Sequence, residues 1–124
     1  MPLVKRRYKE TIAYYKVYSA LVDAARDQKK LTYPDVAKIM GIAETGNYMA
    51  AETGHLLGEI SENEHNNERP LLSAVVVKSK RGIPGPGFFI LACQLHKLEE
   101  EATRERKKAF WDNELNQVYE IWSD

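Results

Sequence analysis

The order of local sequence patterns between Leu31 and Ala92 constrains the fold of this 124-residue chain more than any other feature. A short amphipathic stretch ends at Gly41, and a longer one with an apolar stripe follows it. After a polar gap come a β-branched run, Leu71–Val77, a turn rich in Gly and Pro, and a second apolar run, Gly87–Leu91. These patterns predict helix, turn, helix, strand, tight loop and strand. That order is typical of a winged helix-turn-helix.

The second helix has recognisable ends. Thr32 is a suitable N-cap, Asp35 stands at the capping-box spacing, Pro34 fits the first turn and Gly41 is a natural stop. The third helix is expected to start between residues 44 and 48 and to end at about residue 62.

A pair of glycines, Gly54 and Gly58, lies one turn apart inside the third helix. Internal glycines each cost about 1 kcal/mol relative to alanine. The pair therefore indicates either a close contact with another element or a surface that a ligand or backbone approaches.

Helical periodicity continues on both sides of this core, at about 5–30 and 93–123. The predicted fold class is therefore α+β and mostly helical. It is a winged helix-turn-helix with a β-hairpin wing over 31–92, flanked by long N-terminal and C-terminal helices. A chain of this length is expected to form a single domain, 1–124.

The last helix carries an apolar stripe that needs a partner surface, which is either the first helix or another subunit. The residues of this stripe are predicted to bind a partner: Trp111, Leu115 and Trp122.

Composition narrows the class of protein. The content of 44% hydrophobic and 29% charged residues is ordinary for a globular chain, and no apolar run reaches the roughly 18 residues of a membrane span. The single cysteine, Cys93, excludes an internal disulfide and fits a cytoplasmic location.

The sequence shows no nucleophile and base that would come together in an active site, and Cys93 with His96 lacks a second pair of metal ligands. We therefore expect no enzymatic activity, no cofactor and no metal site.

The charges cancel overall but are unevenly distributed. Residues 1–30 carry 8 Lys/Arg and 3 Asp/Glu (net +5), residues 31–70 carry 2 and 7 (−5), residues 71–98 carry 4 and 0 (+4), and residues 99–124 carry 4 and 8 (−4). Basic residues on the wing and near the N-terminus suit contacts with nucleic-acid phosphates. The predicted nucleic-acid-binding residues are Lys78, Lys80, Arg81, Lys5, Arg6, Arg7, Lys9 and Tyr48.

The third helix is poorly suited to read bases. Its expected solvent-facing residues are Glu52, His55, Glu59 and Glu62, and no Lys or Arg occurs from residue 39 to 68. Several carboxylates facing phosphates would repel them. His55 and Glu59 could form an acid–base pair, but an exposed helix pair is the commoner arrangement.

Three segments resemble the DNA-binding domain of the alkylguanine alkyltransferases and their alkyltransferase-like relatives. Leu31–Gly41 is similar to that family's Thr-Tyr-Gly-x-Leu-Ala-x-x-x-Gly helix, and Thr53–Gly58 is similar to its Val-Gly-x-Ala-Leu-Gly. Pro70–Val77 and the Gly-rich segment after it resemble the family's Pro-Cys-His-Arg-Val-Val strand and following loop. The resemblance covers about 60 residues and implies a winged-helix scaffold kept for binding.

The same alignment implies that the family's activity is absent. Leu72 stands where the nucleophilic cysteine belongs, and Ala51 stands where the DNA-intercalating arginine belongs. We therefore predict a non-enzymatic protein that contacts the backbone of nucleic acid, such as duplex DNA, through a basic wing. The alternative is a protein-interaction or homodimerisation module on the same scaffold, without nucleic-acid binding.

Overall fold

The computed structural model describes residues 2–79 and 82–123, and most of these residues are helical. In chain order the elements are α1 (Ile12–Arg26), β1 (Leu31–Thr32), α2 (Tyr33–Met40), α3 (Gly46–Asn66), a 3-10 helix (Leu72–Val75), β2 (Val76–Val77), α4 (Pro86–Gln94) and α5 (Arg104–Trp122). The predicted α+β, mostly helical class is confirmed. Within the described residues, no helix combines the length and the apolar character needed to cross a membrane.

The first helix begins later than the sequence predicts. Thr11 caps α1 by accepting a hydrogen bond from the backbone N–H of Tyr14 at 3.2 Å. The preceding residue, Glu10, has a φ of +71, which interrupts any helix running into this cap. Residues 2–10 form an irregular segment instead, called the N-terminal arm below. The prediction of a helix from about residue 5 is therefore wrong for these residues.

The small sheet consists of β1 and β2, which run parallel, with Leu31 paired to Val76 and Thr32 paired to Val77. The predicted return strand, Gly87–Leu91, is wrong: these residues belong to α4. Pro86 is suited to the first turn of that helix, where its missing N–H costs nothing. The buried residues of α4 follow helical spacing and are Phe88, Phe89, Leu91 and Ala92. The sequence of a short apolar run is compatible with either a strand or a buried helix. Here the run forms a helix, because a helix buries these apolar residues on one face.

The predicted ends of α2 are confirmed. The backbone N–H of Asp35 donates to Thr32 Oγ1 at 3.3 Å, and the backbone N–H of Thr32 donates to the Asp35 carboxylate at 2.9 Å. Gly41 ends the helix with a φ of +78, a conformation that favours glycine. The next helix, α3, continues to Asn66, beyond its predicted end, because Ser61 and Glu64 in its last turns are buried.

The segment 71–77 lies at the centre of the fold, and all of its residues are buried. It is a 3-10 turn followed by a two-residue strand rather than the longer predicted strand. Helices α1, α3 and α5 pack around it. Trp111 Nε1 donates to the carbonyl of Ala74 at 2.8 Å, and the buried carboxylate of Glu114 accepts from the backbone N–H of Leu71 at 2.8 Å. Two side chains of α5 therefore satisfy backbone groups that the short sheet leaves unpaired.

The apolar stripe of α5 is covered by the chain itself. Trp111 is 4% exposed and Leu115 is 6% exposed. Trp122 is half-buried and packs edge-on against Tyr18 of α1, with 6.3 Å between the ring centroids. The sequence allows either the first helix or another subunit to cover this stripe, and the structure shows contact with the first helix, α1. The chain itself encloses Trp111 and Leu115, and binding of a separate partner through this stripe stays a prediction.

Candidate functional site

The N-terminal arm lies on one face of α3 and is held there by two carboxylates. Glu59 accepts hydrogen bonds from the backbone N–H groups of residues 8 and 9 at 2.9 and 3.0 Å. Glu62 accepts from those of residues 3 and 4 at 2.6 and 3.0 Å. The two glutamates are only 5% and 7% exposed. The expectation that they face solvent is wrong, because the arm covers them.

Glu52 holds the arm nearer the start of α3. The Nη1 atom of Arg7 lies 2.7 Å from Oε1 and 2.9 Å from Oε2, and the Tyr8 hydroxyl donates to the same carboxylate. The hydrogen bond from Tyr8 and then that from Arg7 lower the pKa of Glu52. Burial, followed by the bond to Glu52, raises the pKa of Tyr8 to about 12. Both groups therefore keep the protonation states that bind each other over a wide pH range.

His55 also contacts the arm. Its Nε2 atom lies 2.6 Å from the backbone carbonyl of Lys5 and 3.4 Å from the Glu59 carboxylate. A carbonyl can only accept, so Nε2 carries the hydrogen. Holding the arm accounts for the spacing of His55 and Glu59 without any acid–base chemistry.

Arm docking is expected to weaken in alkali. Tyr8 has an ordinary pKa of 10.0 when free and a pKa of about 12 when docked. A raised pKa in the docked state means that the contribution of Tyr8 is complete below pH 10 and is lost as the pH rises through 12. Subtracting the tyrosinate absorbance titration of Tyr8→Phe from that of the wild type isolates this residue. We expect a midpoint near 12, and a midpoint near 10 would contradict the docked geometry.

Exposed cations remain on the docked arm. The side chains of Lys5, Arg6 and Lys9 face solvent. Arg6 and Lys9 flank a small crevice that Asn63 and Asn66 of α3 also line. Arg7 differs from these three because it is paired with Glu52. Tyr48, which is 64% exposed, lies one turn before Glu52 on α3. Four of the predicted nucleic-acid-binding residues, Lys5, Arg6, Lys9 and Tyr48, are thus available along one helix.

A cleft of about 420 Å³ opens beside the arm, between α3 and the first turns of α2 and α4. This volume lies within the range of small-molecule sites. At Gly54, in one wall, an added Cβ would meet no atom within 4 Å. At Gly58, an added Cβ would lie 3.4 Å from a methyl group of Val4 in the arm. Gly54 therefore leaves the cleft open at this wall, whereas Val4 of the arm packs beside Gly58.

Lys78 lines the same cleft and begins a tight loop. Its backbone N–H donates to the carbonyl of Ile83 at 2.8 Å, and its own carbonyl accepts from the N–H of Gly82 at 3.2 Å. The other predicted cations of this loop, Lys80 and Arg81, lie outside the described residues. Lys78 therefore shares this cleft with residues of α3, the helix that also carries the arm.

No family model, curated protein or solved structure matches this sequence. Across residues 2–79 and 82–123, no group of three or more His, Cys, Asp or Glu residues is placed to hold a metal ion. Cys93 is half-buried, with its Sγ atom 3.6 Å from the carbonyl of Glu99, and His96 is exposed.

Sequence reasoning missed both the docked arm and the cleft. The arm had a signal, since residues 1–30 carry a net +5 and residues 31–70 a net −5, which favours association of the two segments. The cleft had a weaker signal in Gly54, a glycine inside a helix without a turn to explain it.

Proposed function

We propose that this protein is a non-enzymatic nucleic-acid-binding protein. The exposed cations of the N-terminal arm bind the phosphate backbone of duplex DNA, and the loop that begins at Lys78 makes a second contact. One observation carries the proposal: the arm covers Glu59 and Glu62, which are only 5% and 7% exposed. These carboxylates were the main reason to expect α3 to repel phosphates. The docked arm presents cations on that face instead.

The neighbouring polar groups suit the same role. Asn63 and Asn66 border the crevice beside the arm, and Tyr48 is exposed further along α3. Asparagine amides and tyrosine hydroxyls commonly donate to phosphate and sugar oxygens, and such contacts fix the orientation of a protein on the duplex without reading its sequence. We therefore expect an affinity that depends strongly on the salt concentration and only weakly on the base sequence.

The proposal includes a winged helix-turn-helix arrangement. In support of it, α2 and α3 pack on each other across the turn 41–45. Lys78 begins a loop at the position in the chain where a wing is expected, although a helix rather than a return strand follows it. The three segments that resemble the alkyltransferase family all contribute residues to the cleft: Tyr33 and Pro34 from the first, Gly54, Leu57 and Gly58 from the second, and Ser73 from the third.

A fluorescence-anisotropy titration of a labelled duplex tests the proposal. Three phosphate contacts predict that affinity falls about 40-fold when the salt concentration rises from about 50 to about 200 mM. The triple variant Lys5→Glu/Arg6→Glu/Lys9→Glu is expected to lose at least about 100-fold in affinity at the lower salt, because each substitution replaces an attraction with a repulsion.

The matched control is Lys16→Glu/Lys29→Glu/Lys30→Glu, which makes the same charge change at exposed positions outside the arm. It is expected to lose much less affinity than the arm variant. An equal loss in the two triple variants would show that net charge, rather than the arm, governs binding. Absence of binding by the wild type at low salt would overturn the proposal itself.

A second candidate function is protein interaction, including homodimerisation, through a different surface from the tryptophan stripe. Ile12 is 74% exposed and Tyr15 is 57% exposed on α1, and Ile39 of α2 lies beside them. Exposed apolar residues grouped in this way are typical of interaction surfaces. This candidate becomes the favoured one when duplex binding is absent at low salt.

A further inference from the structure

We propose that the cleft between α3 and α4 binds a small aromatic carboxylate, with the ring between the apolar walls and the carboxylate group at Lys78. This inference does not depend on nucleic-acid binding.

The walls of the cleft are suited to a flat apolar body. The larger apolar lining residues are Pro34, Met49, Leu57, Pro86, Phe88 and Leu91. Two further lining residues, Gly54 on α3 and Gly87 on α4, have no side chain, and a Cβ built on either would meet no atom within 4 Å. Because these glycines leave space in two walls, a ring can lie against the helix backbones while its edges contact the apolar side chains.

The polar groups of the cleft are cationic or hydrogen-bond donors. Among the described lining residues Lys78 is the only cation, and no Asp or Glu occurs. The Ser73 hydroxyl accepts a hydrogen bond from Ser61 at 2.6 Å, so its own hydrogen is directed elsewhere. The Tyr33 hydroxyl likewise accepts from the backbone N–H of Gly85 at 2.7 Å and retains a hydrogen to donate. A ligand that complements this set must present acceptors and a negative charge.

The position of α4 reinforces the charge preference. Gly85, Pro86 and Gly87 at its start line the cleft, and the helix is nine residues long. The N-terminal end of a helix carries a partial positive charge that favours an anion. The start of α4 and Lys78 together make the cleft positive at the end beside the loop that begins at Lys78. The apolar part of the cleft lies against α3.

Titration of 2-naphthoate into the full chain, followed by backbone amide NMR shifts, tests this inference. We expect saturable binding with a Kd below about 1 mM and shifts confined to cleft residues. The neutral analogue 2-naphthamide is expected to bind at least about 10-fold more weakly, because it lacks the charge that Lys78 stabilises. Lys78→Met is expected to remove this difference by weakening naphthoate binding about 10-fold and leaving naphthamide binding unchanged.

Gly54→Leu fills the cleft at a helical position with open space and is expected to abolish binding of both compounds. Ala51→Leu, at an exposed position of the same helix outside the cleft, is the matched control and should bind both like the wild type. The proposal is overturned when naphthoate binding does not saturate, when the acid and the amide bind equally, or when Gly54→Leu, shown to be folded by its amide spectrum, still binds. The comparison of acid and amide on Lys78→Met keeps the test decisive even where Gly54→Leu does not fold.

Discussion

Arg69→Met is expected to lower the free energy of unfolding by about 3–5 kcal/mol. The carboxylate of Glu64 on α3 is fully buried and makes two charge-assisted hydrogen bonds with Arg69, from Nε at 2.9 Å and from Nη2 at 2.8 Å. Its third partner is the Tyr18 hydroxyl, at a longer 3.4 Å. Removing the guanidinium leaves a charge in the core with one weak hydrogen bond, and this desolvated charge accounts for the expected loss. Urea unfolding at neutral pH measures it.

A matched control is Arg106→Met. Arg106 Nε lies 3.0 Å from the Glu99 carboxylate, but the side chains of this pair are 44% and 54% exposed. Its removal should change stability by less than about 1 kcal/mol. The double variant Glu64→Leu/Arg69→Met removes both charges and should recover much of the stability lost in Arg69→Met. A loss below about 1 kcal/mol for Arg69→Met alone would show that the Glu64 charge is not held in a dry core.

Local signals in the sequence predicted local structure. The capping box of Thr32 and Asp35 and the glycine stop at Gly41 are confirmed, because each acts through atoms within a few residues of chain. Glu52, Glu59 and Glu62 share one face of α3, but the expectation that this face is exposed is wrong for Glu59 and Glu62, which the arm covers. Their partners were not predicted, since helical periodicity determines which residues share a face but not what covers that face.

The apolar runs after residue 70 show a second limit. Apart from Ser73, Leu71–Val77 is apolar and its sequence predicts a strand, yet only its last two residues pair with another strand. Gly87–Leu91 has a similar composition and is helical. Neither run has a polar face, so the spacing of polar and apolar residues cannot distinguish a helix from a strand here. Trp111 and Glu114 bond to backbone groups of the first run that lie 37 and 43 positions earlier in the chain.

The arm depends on contacts that are still more distant in sequence. The hydrogen bonds from residues 3 and 4 to Glu62 join groups separated by 59 and 58 positions. The block Lys5–Lys9 is strongly charged, and its sequence predicts part of a helix whose cations bind nucleic acid. The structure divides it: Arg7 binds Glu52, and backbone groups of residues 8 and 9 bind Glu59. Only the fold reveals which cations remain for a partner.

The double variant Glu59→Gln/Glu62→Gln is expected to weaken duplex binding by at least about 10-fold, although it removes two negative charges. Both oxygens of each carboxylate accept backbone N–H groups of the arm. A glutamine amide offers one acceptor, and its NH₂ group would face an N–H donor. The arm is therefore released, and its cations no longer lie fixed along α3. Amide exchange at residues 3, 4, 8 and 9 should accelerate about 10-fold or more, which measures the release directly.

The direction of the change in affinity separates two physical roles for these acids. Carboxylates that merely repel phosphates would make the double variant bind more tightly, as simple charge counting predicts. Carboxylates that position a basic arm make it bind more weakly. The control Glu100→Gln/Glu101→Gln makes the same charge change at exposed sites outside α3 and should bind slightly more tightly than the wild type. If the α3 variant binds more tightly and its amide exchange is accelerated, the arm binds DNA without being docked on α3. If it binds more tightly and its amide exchange is unchanged, the carboxylates do not hold the arm.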